Sequence, residues 1–204
     1  MKEKLKQCRK PHGDYGKEVI NDMNNHHEVI SNYAMESIEL MEDAKIIDIG
    51  CGGGVNIEKF LKRCPGGVVD GLDYSSLSVA ESIKRNKKAV DDGRCHIYEA
   101  NVLDIPLDDG SYDLASAFET IYFWKDLNKA FSEVYRILDD EGRFMIACDT
   151  DSDNPDNQRW VNLLDDVEVY SKDELVMILK EVGFGKIDVF HRKEDYLLVI
   201  VAGK

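Results

Sequence analysis

From Lys45 onward the chain alternates short apolar runs with amphipathic helical patterns, the signature of a parallel sheet covered by helices on both faces. Parallel neighbours need a crossover connection, so each apolar run must be followed by enough chain to build a helix. The runs that read as strands are Lys45–Gly50, Gly67–Asp73, Cys95–Asn101, Tyr112–Glu119, Arg143–Asp149, Ile187–His191 and Tyr196–Ala202. Only residues 192–195 separate the last two, which is too short for a crossover, so these must pair as an antiparallel hairpin. The expected fold is α/β: a doubly wound, mostly parallel seven-stranded sheet ending in a C-terminal antiparallel hairpin strand.

The helical patterns lie between the strands. Ile57, Phe60, Leu61 and Cys64 recur at helical spacing until Pro65-Gly66-Gly67 stops them. A second helix follows Ser75, and Leu127, Ala130, Phe131, Val134, Ile137 and Leu138 form the clearest apolar stripe, ended by Asp139-Asp140-Glu141-Gly142. Ser171 and Glu174 form a capping-box pair ahead of Leu175, Ile178, Leu179 and Val182. Ahead of the first strand, Lys17 to Met41 reads as one helix with Ile20, Met23, His27, Ile30 and Ala34 on one face. Residues 1–44 are therefore expected to form an N-terminal lid and helix packed on a main domain of residues 45–204.

Composition narrows the function classes. At 204 residues and 43% hydrophobic the chain supports one substantial core. No stretch approaches the roughly 18 to 20 apolar residues that span a bilayer. Met1 to Lys10 is too polar for a signal peptide, so a cytoplasmic protein without membrane association is expected. The net charge of −14 argues against nucleic acid as a partner, and the basic run of Lys2, Lys4, Lys6, Arg9 and Lys10 reads as a solvated tail. The cysteines at 8, 51, 64, 95 and 148 lack metal-binding spacing and read as free thiols.

The chemistry concentrates at Ile46-Ile47-Asp48-Ile49-Gly50-Cys51-Gly52-Gly53-Gly54, an apolar strand that runs through a glycine-rich turn into a helix. Glycines let backbone approach a ligand, and the helix N-terminus offers free N–H groups. A dinucleotide-binding Gly-x-Gly-x-x-Gly would need glycine where Val55 stands, which disfavours a nicotinamide-dependent oxidoreductase. A second strand, Val68-Val69-Asp70-Gly71-Leu72-Asp73, ends on an acid about twenty residues downstream that can accept bonds from both ribose hydroxyls.

With these residues the chain closely resembles the class I S-adenosylmethionine (SAM)-dependent methyltransferases, in small bacterial or archaeal-type form. Their first motif, acid-x-Gly-x-Gly-x-Gly, is matched by Asp48, Gly50, Gly52 and Gly54, and the resemblance runs from about Lys45 to the C-terminus. It implies a Rossmann-like methyltransferase fold that binds SAM and releases S-adenosylhomocysteine (SAH). On that resemblance Asp48 organises the turn and the methionine amino group, while Gly50 to Gly54, Cys51 included, face the methionine moiety. Asp73 holds the ribose, Tyr74 lies along the adenine ring, and Val102 offers its N–H to the base. Asn101 stands where the family usually has an Asp that contacts the adenine amino group.

After the fourth strand comes Phe118-Glu119-Thr120-Ile121-Tyr122-Phe123-Trp124, at the edge where open α/β sheets place ligands. Phe118 is expected to border the cofactor. The absence there of an Asn/Asp-Pro-Pro-aromatic motif argues against base amino groups as targets. Glu119 and His27 are the candidate general bases. Tyr15, within the turn-rich segment Arg9-Lys10-Pro11-His12-Gly13-Asp14-Tyr15-Gly16, is the candidate lid residue over SAM. Asp149, Asp151 and Asp153 read as a solvated acidic loop, so no metal is expected. The short insertion between Asp149 and Ser171, which contains Trp160, leaves little room for a large cap and favours a small-molecule acceptor. The expected activity is methyl transfer by a monomer or homodimer; the alternative is a non-catalytic SAM-binding regulatory protein or subunit.

Overall fold

Strand β1 (Lys45–Ile49) is apolar on both faces because helices cover the sheet on both sides. Ile47 and Ile49 point to one face and Ile46 to the other, each fully buried. The remaining strands are β2 (Val68–Asp73), β3 (Ile97–Glu99), β4 (Tyr112–Phe118), β5 (Leu138–Cys148), β6 (Ile187–Arg192) and β7 (Leu197–Gly203). The computed structural model describes residues 6–155, 157, 161 and 167–204. Its seven-stranded sheet has the order β3-β2-β1-β4-β5-β7-β6. All pairs are parallel from β3 to β5, and β7 lies antiparallel between β5 and β6.

The helices are α1 (Gly13–His26), α2 (Glu28–Glu36), α3 (Val55–Arg63), α4 (Ser76–Arg85), α5 (Lys87–Asp91), α6 (Leu127–Ile137) and α7 (Lys172–Val182). On one face of the sheet Phe131 and Val134 of α6 and Leu179 of α7 pack with Ile47, Phe144 and Ile146. On the other, Ile30 and Ala34 of α2 and Ile57 and Phe60 of α3 pack with Ile46, Leu114 and Met145. Each such side chain contributes about 1.5–3 kcal/mol by leaving water. No helix among the described residues is long and apolar enough to cross a membrane.

The N-terminal helix expected over Lys17 to Met41 is instead two helices, and the chain past Glu36 is not helical. His27 breaks them with φ −87° and ψ 11°, yet its N–H still bonds Met23 O and its C=O still accepts from Ser31, so the apolar face stays nearly continuous. Arg63 then ends α2 by donating to the carbonyls of Met35 and Ile38, which removes the need for a further helical turn. Two strand ends also differ from expectation. β5 begins at Leu138, paired with Tyr112 across a register shift, and β3 is confined to Ile97–Glu99. Tyr196 adopts φ 60° in the hairpin turn and leaves β7 to begin at Leu197.

The chain travels from β1 outward to β3, then crosses back to place β4 on the other side of β1. That reversal opens a crevice outside the carboxyl ends of β1, β2 and β4, where doubly wound folds bind ligands.

Candidate functional site

The glycine turn at the tip of β1 is anchored by backbone. Gly50 and Cys51 both donate to Leu72 O, at 2.7 and 3.1 Å, and Gly54 donates to Cys51 O at 2.9 Å. Gly50 has φ 76°, and a Cβ there would lie 2.3 Å from Thr120 Oγ1. Gly54 has φ 74°, and its Cβ would meet Ser82 Oγ at 2.4 Å. Only glycine serves at either position. α4 fastens the far side of the turn: Arg85 Nε donates to Gly53 O at 2.9 Å and Asn86 Nδ2 to Gly54 O at 3.0 Å. Gly52 differs, because nothing lies within 4 Å of its would-be Cβ and its inner edge opens on the crevice. That open cradle and the carboxylate beside it fit the amino-acid and sugar parts of a nucleoside sulfonium.

That carboxylate is Asp73, the last residue of β2. Its Oδ2 accepts the Gly52 N–H at 3.0 Å and its Oδ1 the Ser75 N–H at 2.8 Å, so turn and strand tip form one unit. Burial raises the Asp73 carboxyl, and the Ser75, Gly52 and Tyr74 N–H groups offset part of that. Asp48 lies behind the turn, 1% exposed, and does not line the crevice. Ser116 Oγ of β4 donates to its Oδ1 at 2.8 Å, but burial still pushes the carboxyl up to about 7.

Cys51, Gly50, Gly52, Asp73, Tyr74, Asn101, Val102 and Phe118 all line one crevice, together with His27 and Glu119. Gly54 is fully enclosed behind it. Asn101 turns its Oδ1 toward the Leu103 N–H, 3.0 Å away, so that oxygen already serves its own turn. Tyr15 is 68% exposed and outside the crevice, which corrects its expected place as a lid. Its segment reaches the site through other residues: Tyr74 donates its hydroxyl to Arg9 O, Ser75 Oγ donates to Pro11 O at 2.9 Å, and Cys8, Arg9 and Pro11 line the wall.

The opposite end of the crevice is made of side chains. Glu119 follows β4 with φ 54°, a left-handed conformation uncommon outside glycine, and aims its carboxylate inward. Its Oε1 accepts the Asp149 N–H and the Tyr122 hydroxyl, the latter at 3.3 Å, and its Oε2 lies 3.9 Å from His27 Nε2. Burial pushes the Glu119 carboxyl well above the usual carboxylate range, and the facing Asp149 pushes the same way. Burial lowers the His27 imidazole, against the opposing pull of Asp149. One ligand atom each from His27, Glu119 and Asp149 fall within 4.8 Å of one another. Phe123, Trp124 and Lys125 continue this wall, and Lys59 is held by Ser31 Oγ at 2.7 Å and Asn32 Oδ1 at 2.8 Å.

The acidic stretch after β5 is not wholly solvated as expected. Asp151 is buried with its Oδ2 2.6 Å from His191 Nε2, because β6 runs past it. Trp160 lies outside the described residues. Ser116, Lys59, Arg85 and Asn86 shape the site without having been singled out in the sequence, and Asp149, read there as part of a solvated loop, stands beside Glu119 and His27. The tertiary pairing of β4 with β1 and of β4 with β5, the docking of α4 on the turn and the contact of α3 with α2 bring them there.

Comparison with known proteins agrees with this geometry. A family model described as a methyltransferase domain matches residues 47–146, from β1 through β5. The Bacillus subtilis (strain 168) protein YrhH, a methyltransferase by assignment only, is 28% identical over 137 residues, covering 67% of this chain and 74% of YrhH. A SAM-dependent methyltransferase from Aquifex aeolicus superposes with a TM-score of 0.74 at 18% identity, covering 90% of this chain and 96% of that one. Geranyl diphosphate C-methyltransferase from Streptomyces coelicolor A3(2), solved with Mg2+, geranyl diphosphate and SAH, gives 0.73 at 18% identity over 94% of this chain and 84% of its own. Turn, carboxylate, strand order and relatives agree on a class I SAM-dependent methyltransferase.

Proposed function

We propose that this methyltransferase acts on a small-molecule acceptor, with cofactor at the glycine-turn end of the crevice and acceptor against Glu119 and His27. The observation that carries this reading is the bond between Gly52 N–H and Asp73 Oδ2, which joins the two cofactor-holding groups into one rigid unit. Gly50, Cys51 and Gly52 face the methionine part, Asp73 the ribose, and Tyr74, Asn101 and Val102 the adenine. Asp48 acts from behind, fixing the tip of β1 through Ser116.

When bound, SAM supplies an electrophilic methyl group on a good leaving group. The chain's task is to align acceptor and methyl and to exclude water, an effect that can supply up to about 7–11 kcal/mol. His27 takes the proton that the acceptor loses, since burial disfavours its imidazolium. Glu119 stands beside that ring and faces the acceptor. Apolar lining by Phe118, Phe123 and Trp124 suits a small organic molecule.

Incubation with [methyl-14C]SAM and a metabolite extract tests the reading, with labelled product of low mass expected. SAM that binds and yields no labelled product would assign the chain a regulatory role instead.

A further inference from the structure

We propose that the acceptor is an amine, presented as its ammonium to Glu119 and Asp149 and methylated on that nitrogen. The inference rests on the methyltransferase reading above and deepens it. Glu119 Oε1 is taken by the Asp149 N–H and the Tyr122 hydroxyl, whereas Oε2 lies 3.9 Å from His27 Nε2, beyond hydrogen-bond reach, and the Asp149 carboxyl stands close to the same group. The Glu119 side chain is 7% exposed, so water does little for this oxygen. The Asp149 carboxylate stands beside it, within the same 4.8 Å cluster as His27.

The two lysines of the crevice wall are directed elsewhere. Lys59 is spent on Ser31 and Asn32, and Lys125 is exposed at the wall beyond Trp124. A buried Glu119 carboxyl set beside the water-accessible carboxylate of Asp149 favours a positively charged guest. A phenol or carboxylic acid would set an oxyanion against both of them. An ammonium arrives with the opposite charge, and the rings of Phe118, Phe123 and Trp124 along the same wall favour a cation as well.

The step balances. One N–H proton of the ammonium passes to the His27 imidazole, and the freed nitrogen lone pair forms the new N–C bond to the methyl. The C–S bond breaks with its electron pair retained by sulfur, which leaves as the neutral thioether. The product is a methylammonium, and His27 returns its proton to water. Positive charge builds on nitrogen during the transfer, so Glu119 and Asp149 stabilise the transition state and not only the bound acceptor.

The test uses the full chain, [methyl-13C]SAM and a panel of primary and secondary amines matched in size by phenols, carboxylic acids, thiols and prenyl alkenes. NMR of the labelled methyl reads the atom that received it. The expected result is an N-methyl product from amines alone. Glu119→Gln and Asp149→Asn should each raise KM for that amine about 10- to 100-fold while the SAH dissociation constant stays unchanged. An O-, S- or C-methyl product overturns the inference and leaves the methyltransferase reading intact. Loss of SAH affinity in Glu119→Gln equal to the rise in KM would give Glu119 to the cofactor's own ammonium and overturn it too. Turnover abolished by EDTA and restored by Mn2+ would assign the three side chains to a metal, with the same consequence. No labelled product from the panel or a metabolite extract, with SAH still bound, overturns the methyltransferase reading itself.

Discussion

The two ends of the crevice are built by different means. At the glycine-turn end, the proposed place of the cofactor, the contacts run through backbone: Gly50 and Cys51 hang from Leu72 O, and Asp73 clasps Gly52. At the acceptor end they run through side chains from separate parts of the chain, with His27 at the α1–α2 break, Glu119 past β4 and Asp149 past β5. The first arrangement is fixed by chain geometry and suits a ligand shared by a whole family. Side chains can be exchanged without disturbing the sheet, which suits an acceptor that differs from member to member.

Substitutions can break this contrast. The largest effect should come from Gly50→Val, which forces a Cβ to within 2.3 Å of Thr120 Oγ1 at φ 76°. Urea unfolding should show a loss of about 2–3 kcal/mol, and SAH binding should disappear. His27→Gln should lower kcat about 10²- to 10⁴-fold while leaving SAH affinity as it was, as read by steady-state kinetics and calorimetry together.

The pH profile sharpens the same point. His27 works as a base only when neutral, and burial disfavours its imidazolium, so the acid limb of kcat should lie below the ordinary histidine value. Glu119 and Asp149 face the ring, and the limb should vanish in His27→Gln, where no imidazole remains. A limb that persists unchanged would assign the proton to Glu119.

Smaller effects are expected at the N-terminal strap. Tyr74→Phe removes the hydroxyl that donates to Arg9 O, worth roughly 1 kcal/mol, and SAH affinity should fall a few-fold by calorimetry. Tyr15→Ala should change nothing measurable in the same titration, because that ring stands 68% exposed outside the crevice.

The same contrast decided what could be read from the sequence. The glycine-turn end was legible because Asp48, the glycines and Asp73 sit in two contiguous strand ends whose pattern encodes both the fold and the turn. The hairpin at the C-terminus was legible for a similar local reason, a connection too short for a helix. Asp149 gave no local signal, since its place beside Glu119 depends on the pairing of β4 with β5, and its acidic neighbours in sequence suggested solvent. The break at His27 was invisible because the apolar spacing runs through it without a Gly or Pro, and the end of α2 is set by Arg63, far along the chain.

The division of the crevice is tested most directly by calorimetric titration of SAH into Asp73→Ala and Glu119→Gln beside the unaltered protein. Asp73→Ala should weaken SAH binding at least about 10-fold, the loss of charge-assisted bonds to the ribose, while Glu119→Gln should bind it as tightly as the unaltered protein. Unchanged affinity in Asp73→Ala would contradict the account.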